Sequence, residues 1–375
     1  SDESFFVFRT FDNKTVVSGG LTVALPESEQ FAALDDDNYI LTILAEGGSA
    51  YTVGQNLDIE ALSDSGALSV TYGADRQSIT IGGLTNVTTV KLTALVSKNI
   101  VSRKIKTASK MRAMKISRTA KQQDVQRFGL LYGGLYGTRI EDNEISFGLN
   151  DVYKLHAVYE SSDDNPPKIP YIVLSEATFF APGTVITGGT SGARAIVVSF
   201  INSTLRLYNV DLNGSSFSPG ETVTGVDADN NVLTATIDDA DGSVEKGSKV
   251  ITNQYELNQA QNPFFYDVSR LVRKPGTTPP TRQLMAVFDY FIHEASGDYF
   301  SGQSYTGIEF SDIPSPILKG SSQTVRDQID FRPAVGELAT GQGTVGSPFE
   351  VTCATLDFDA RQFSTTGQGA GAAAA

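Results

Sequence analysis

The stretch TTVKLTALVS, Thr88–Ser97, alternates apolar and polar residues and places Val90, Leu92, Ala94 and Val96 on one face. A period of two marks a half-buried strand, because successive side chains of an extended chain point to opposite sides. The same pattern runs back to the start of the chain. FFVFRTF (Phe5–Phe11), KTVVSG (Lys14–Gly19), LTVALP (Leu21–Pro26), YILTILA (Tyr39–Ala45), AYTVG (Ala50–Gly54), LSVTYG (Leu68–Gly73) and SITIGG (Ser78–Gly83) are short runs separated by Gly, Asp, Asn or Pro. Short strands at regular spacing predict an immunoglobulin-like β-sandwich over residues 1–98.

Working outward, helix formers are concentrated nowhere in the 375 residues, while Gly, Thr, Ser, Val and Asn recur along the whole length. The chain therefore reads as all-β, with several small β-sandwich or β-barrel-like domains joined by irregular loops. Its length fits about two to four domains. Residues 99–175 read as a basic connector and the first part of a β domain. There the alternation in NDVYKLHAVYES (Asn150–Ser161) marks Val152, Leu155, Ala157 and Tyr159 for burial, and NPPKIP (Asn165–Pro170) forms a rigid turn.

Residues 176–245 hold an internal repeat. FAPGTVITG (Phe180–Gly188) and FSPGETVTG (Phe217–Gly225) share the pattern F-x-P-G-x-x-[IV]-T-G at an offset of 37 residues. Pro-Gly sets a tight turn and a strand follows. This predicts a small pseudo-symmetric β module, with Phe180 and Phe217 plugging its ends, inserted into a domain made of both flanks. Residues 246–375 supply the second, aromatic-rich part of that domain and a Gly/Ser/Thr-rich tail.

The net charge is −14, which disfavours nucleic-acid binding by the chain as a whole. Residues 98–127 run against it, with ten basic side chains and one acid, a local +9 that leaves −23 for the rest. Alternation from Lys104 to Ala113 fits a strand with one basic face, while the stretch from Ser109 to Phe128, free of Gly and Pro, fits a helix equally well. No base-stacking aromatic is interleaved before Phe128. We expect Lys98, Arg103, Lys104, Lys106, Lys110, Arg112, Lys115, Arg118 and Lys121 to form a charged interface for an acidic partner subunit, since complementary charge fixes register and steers assembly. No apolar run is long enough to span a bilayer. A single cysteine, Cys353, leaves no internal disulfide framework and fits folding in a reducing cytoplasm. The chain starts at Ser1 without Met and stops in GQGAGAAAA, so both ends are expected to be non-natural boundaries.

Catalytic motifs are sparse. There is no G-x-S-x-G elbow, no Walker A sequence and no G-x-G-x-x-G after a strand. Cys353 lies in the apolar alternation VTCAT and reads as a buried, inert thiol. DADNN (Asp227–Asn231) and DDADG (Asp238–Gly242) echo calcium loops but read as solvated turns, since neither carries the full ligand spacing. His156 and His293 are the only histidines, with no metal-ligand spacing around them. His156 is expected at a surface or interface, and His293 in an aromatic stack. No cofactor, metal or catalytic residue is therefore assigned, and the chain is expected not to be an enzyme. Arg270, Arg273, Tyr290, Tyr299, Arg326, Asp327, Asp330 and Arg332, with Tyr266, are expected to form a structural network of Arg–carboxylate forks and tyrosines.

Long phrases in the C-terminal two thirds carry a resemblance. They are YDVSRLVRKPG (Tyr266–Gly276), VFDYFIHEASGDYFS (Val287–Ser301), FSDIPS (Phe310–Ser315), VRDQIDFRP (Val325–Pro333) and, more weakly, ISFGLNDVYKLHAVYES (Ile145–Ser161). This block resembles tail-associated structural proteins of large contractile-tailed bacteriophages, the T4-like group infecting marine cyanobacteria in particular. The resemblance implies a virion structural protein of the tail, baseplate or fibre-attachment apparatus, made in the host cytoplasm. Its implied partners are other tail and baseplate proteins and further copies of itself, trimers among the expected oligomers. The alternatives are an adhesin for host-surface glycan, a head or neck decoration protein, and a polysaccharide-degrading tail enzyme.

Overall fold

In the computed structural model, which describes residues 5–26, 28–98, 101–118, 137–263, 265–294, 297–314, 324, 326, 328–335, 337–351 and 363–364, the alternating face of Val90, Leu92, Ala94 and Val96 is wholly buried. Strands make up 49% of the described residues and helices 7%, so the fold is all-β. The chain divides into two units, residues 1–103 and 104–375.

The first unit contains β1 (Phe5–Thr15), β2 (Gly20–Ala24), β3 (Glu29–Phe31), β4 (Tyr39–Glu46), β5 (Asn56–Leu57), β6 (Ser69–Tyr72), β7 (Ser78–Gly82) and β8 (Val87–Lys98). One sheet runs β1-β8-β4-β5, with β3 also paired to β8, and the other runs β2-β7-β6. Leu21, Val23, Ile79 and Ile81 of the second sheet meet Leu41, Ile43, Val90 and Leu92 of the first in one core. A two-sheet sandwich results, as alternation on both sheets requires. A short helix, α1 (Ile59–Asp64), is opened by Asp58, whose side chain accepts the Ala61 N–H at 2.9 Å.

The second unit continues with β9 (Lys106–Ile116), β10 (Glu144–Asn150), β11 (Val152–Glu160), β12 (Tyr171–Val173), β13 (Val185–Gly188), β14 (Arg194–Ile201), β15 (Arg206–Asp211), β16 (Thr222–Val226), β17 (Val232–Thr236), β18 (Val244–Glu245), β19 (Lys249–Val250), β20 (Tyr255–Asn258), β21 (Val268–Arg273), β22 (Leu284–His293), β23 (Tyr305–Thr306), β24 (Ala334–Val335) and β25 (Phe349–Glu350). Its main sheet runs β19-β11-β22-β9-β23, with β25 also on β9. A three-stranded sheet, β10-β21-β20, covers one face through Ile145, Phe147, Val268 and Leu271, which pack with Met114, Val158 and Phe288.

The repeat-bearing segment forms its own sheet, β17-β16-β13-β14-β15-β12-β18. An antiparallel bridge between Leu174, just after β12, and Ile237, just after β17, closes six of these strands into a ring. Ile172, Phe180, Ile186, Val197, Leu207, Val223 and Ile237 fill it, as side chains fill any small barrel. Both Pro-Gly turns adopt the expected geometry: Thr184 N–H reaches Ala181 O at 3.0 Å and Glu221 N–H reaches Ser218 O at 3.3 Å, with Gly183 and Gly220 at φ +93° and +74°. That is the left-handed position a type II turn reserves for glycine.

The barrel packs on the other face of the main sheet, where Val198 and Val210 meet Met111, Ala157, Tyr159 and Val287. Strand β22 is thus covered on both sides and is buried at every position but Ile292. Its sequence, LMAVFDYFIH, shows no alternation for that reason. Residues 106–116 are a strand, which resolves the strand-or-helix ambiguity there.

Candidate functional site

Chemically dense residues of the second unit converge where β9 and β22 begin and end. Lys106, the first residue of β9, is register-paired with His293, the last of β22. Asp151 occupies the single step between β10 and β11 at φ 55°, and its carbonyl accepts the Phe291 N–H at 3.1 Å. Tyr266 precedes β21 and bridges to Ala334. Asp330 exchanges backbone hydrogen bonds of 2.8 and 2.7 Å with Phe300. Five separated segments therefore deliver one cluster.

Within it, Lys106 Nζ lies 2.7 Å from Asp151 Oδ2 and donates to the Tyr266 hydroxyl at 2.8 Å. His293 Nε2 lies 2.8 Å from the same Asp151 Oδ2, and Gln261 Nε2 donates to Asp151 Oδ1 at 3.1 Å. Tyr266 in turn donates to Asp330 Oδ2 in a short hydrogen bond. Arg332 forks onto Asp330 through Nε (3.0 Å) and Nη2 (2.8 Å) and reaches Asn262 O at 2.7 Å. The rings of Tyr266, Phe300 and Tyr305 surround the Lys106 ammonium with centroids at 4.2, 4.6 and 5.2 Å. Lys106 and His293 are each 1% exposed at the side chain.

Burial sets the electrostatics. It lowers the Lys106 ammonium below its ordinary range, with Asp151 opposing, and lowers His293 despite the hydrogen bond to Asp151. Burial would raise Asp151, but the Lys106 charge and the His293 contact outweigh it and hold the carboxylate far below the usual range. Asp330 is likewise held low against burial by Arg332. Burial drives the Tyr266 phenol well upward, which keeps it a neutral donor. Two cations and two carboxylates thus neutralise each other, the arrangement that makes buried charge tolerable. Chemically the cluster can lock segments together and move protons along Lys106, Tyr266 and Asp330.

The expected network comes together only in part. Asp330, Arg332 and Tyr266 are in the cluster. Arg270 instead pairs with Glu144 (3.2 Å) and Asp267 (3.6 Å), and Arg273 binds Asn143 and Thr277 O. Tyr290 belongs to the core between the main sheet and the three-stranded sheet, edge-on to Phe349. Tyr299 packs on Phe331, and Arg326 lies over Phe310. Asp327, Lys121 and Cys353 fall outside the described residues.

Among the described residues, the basic segment is divided between buried and exposed positions. Lys98 is buried against Glu29 at 3.0 Å, Lys104 is buried near the Phe300 ring, and Lys106 is the heart of the cluster. Lys115 pairs with Glu350 (3.0 Å), Arg118 with Asp164 (3.3 Å), and Arg112 donates to Ser109 at 2.7 Å. Arg103 and Lys110 are the exposed members. Lys98 and Lys106 turn inward because acids distant in sequence, Glu29 and Asp151, meet them. His156, expected at a surface or interface, lies 2.8 Å from the buried Asp289, whose Oδ1 accepts the Met111 N–H at 2.7 Å. His293 does lie among aromatic rings, but edge-on to Tyr266 and tilted against Phe300 instead of stacked, and its Nε2 also meets Asp151.

The two Asp-rich loops are hydrogen-bonded turns. Asp227 accepts from Asp229 N–H (2.9 Å) and Asn231 N–H (2.8 Å), and Asp238 from Ala240 N–H (2.8 Å). Sequence reasoning missed Asp151, which reads as an ordinary Asn-Asp turn residue. Its one local sign is that it interrupts two adjoining strand patterns.

No protein-family model, no curated protein and no solved structure matches the chain.

Proposed function

We propose that the chain is a non-enzymatic structural subunit of a tailed-phage particle, belonging to its tail, baseplate or fibre-attachment apparatus and acting through subunit assembly. The phrases at Tyr266–Gly276, Val287–Ser301 and Val325–Pro333 support the reading through their resemblance to tail-associated proteins. The observation that carries it is that the conspicuous charges of this block, Asp330 and Arg332 with Lys106 and Asp151, are spent on one another inside the fold. Such a cluster fixes a rigid shape, which is what a load-transmitting part requires.

Immunogold electron microscopy of intact particles, with antibody raised against this chain, tests it. Label confined to the tail end or its fibres is the expected result. Label on the head or neck would move the chain to a decoration or connector role. Unlabelled particles alongside labelled cells would reject the virion reading and bring the glycan-binding one forward.

A further inference from the structure

We propose that Lys106 and Asp151 condense, once the fold has closed around them, into an intramolecular isopeptide bond that ties β9 to the β10–β11 junction. The inference goes beyond the assembly role and holds whatever particle or surface the chain serves.

The geometry is that of a reactant pair. An amine nitrogen 2.7 Å from a carboxyl oxygen is one bond away from the carboxyl carbon, and both groups are held by a closed β framework. Fixed proximity of this kind replaces the entropy cost of bringing an amine and an acid together. The aromatic rings of Tyr266, Phe300 and Tyr305 exclude water from the nitrogen. Burial favours the uncharged amine, the nucleophilic form.

Every atom that changes has a partner. Nζ passes one proton to Oδ2 along their shared hydrogen bond and attacks Cγ. The negative charge that develops on Oδ1 meets the Gln261 amide, 3.1 Å away, a donor placed as an oxyanion site would be. The second proton passes from Nζ to Oδ2 over that same contact, while the Tyr266 hydroxyl, held by Asp330, accepts the N–H that Nζ keeps. His293 Nε2–H hydrogen-bonds the departing oxygen. The Nζ–Cγ bond forms, the Cγ–Oδ2 bond breaks, and one water is released; an ammonium and a carboxylate become one neutral amide. No oxidant or cofactor enters. Gln261, His293 and Tyr266 touch the reacting atoms, and Asp330 acts through Tyr266. The remaining charges of the cluster, Asp330 and Arg332, stay paired, while Lys104 lies over the Phe300 ring at 5.7 Å.

Intact-mass spectrometry of the denatured chain decides it. The expected mass is that of the sequence less one water, and a tryptic digest yields a branched peptide joining Lys106 to Asp151, uncut after Lys106. The variant Lys106→Arg keeps its full sequence mass. A native chain at full sequence mass overturns the proposal. So does a lost water that maps to any other pair, or one that persists in Lys106→Arg. Because mass is read after denaturation, none of these outcomes depends on a variant folding.

Discussion

Thr187 on β13 pairs with Thr224 on the neighbouring strand β16, its own counterpart 37 residues on. Ile186 faces Gly225 and Gly188 faces Val223, so the pairing is unchanged when the two repeats are exchanged. A local two-fold axis therefore passes between the two threonines.

That symmetry is imperfect in its plugs, and the difference is measurable. Phe180 is completely buried in the barrel, whereas Phe217 is half-buried at its edge. Phe180→Ala should destabilise the second unit by about 3–5 kcal/mol, the usual cost of emptying an aromatic site. Phe217→Ala should cost clearly less. Urea unfolding of the two variants gives the comparison, and equal losses would contradict the asymmetry.

Glu221 has a similar structural burden. Its carboxylate accepts N–H groups of Thr190 (3.0 Å), Ser191 (2.9 Å) and Ser218 (2.7 Å), and the Ser191 hydroxyl at 2.7 Å. These hydrogen bonds hold its titration below the ordinary range although burial opposes them. Glu221→Ala should cost about 2–3 kcal/mol, because several donors lose a charged acceptor together. Hydrogen exchange at the amides of Thr190 and Ser191 should quicken in the same variant.

Arg332→Ala leaves Asp330 buried beside Tyr266 without its fork. Removing one partner of a buried pair costs about 3–5 kcal/mol. The loss should appear in the melting of the second unit and leave that of the first unchanged. An unaltered melting temperature would show that the cluster is not a lock.

Acid should weaken the second unit in two stages. Burial keeps His293 neutral when folded, while the unfolded chain takes up a proton near 6.5. The stability this provides is complete above that pH and declines as pH falls below it. Asp330 is depressed from 3.8 by Arg332, so its contribution is lost in turn as pH falls further, toward its folded value. Melting temperatures stepped from about pH 7 to about pH 5 should fall, and His293→Gln should flatten that first decline.

Much of this was legible in the sequence. Val90, Leu92, Ala94 and Val96 announced their sandwich face, and the two F-x-P-G phrases announced paired turns and strands, because both signals are local. Asp330 and Arg332 were legible as a fork because they lie two residues apart. The union of Lys106 with Asp151 was not, since nothing in either neighbourhood specifies which distant acid meets which base. The burial of Lys98, Lys104 and Lys106 was hidden for the same reason: a strand's period reveals which residues share a face, but not what covers it.

The position of β22 in the chain bears on how the molecule is made. It lies between β9 and β11 in the main sheet yet emerges from the ribosome long after both. Until it arrives, those earlier strands cannot occupy their final places and present unpaired edges. The first unit, whose strands are complete by Lys98, is free to fold during synthesis. The second must wait for residue 293, and the delay makes its nascent chain a natural client for chaperones.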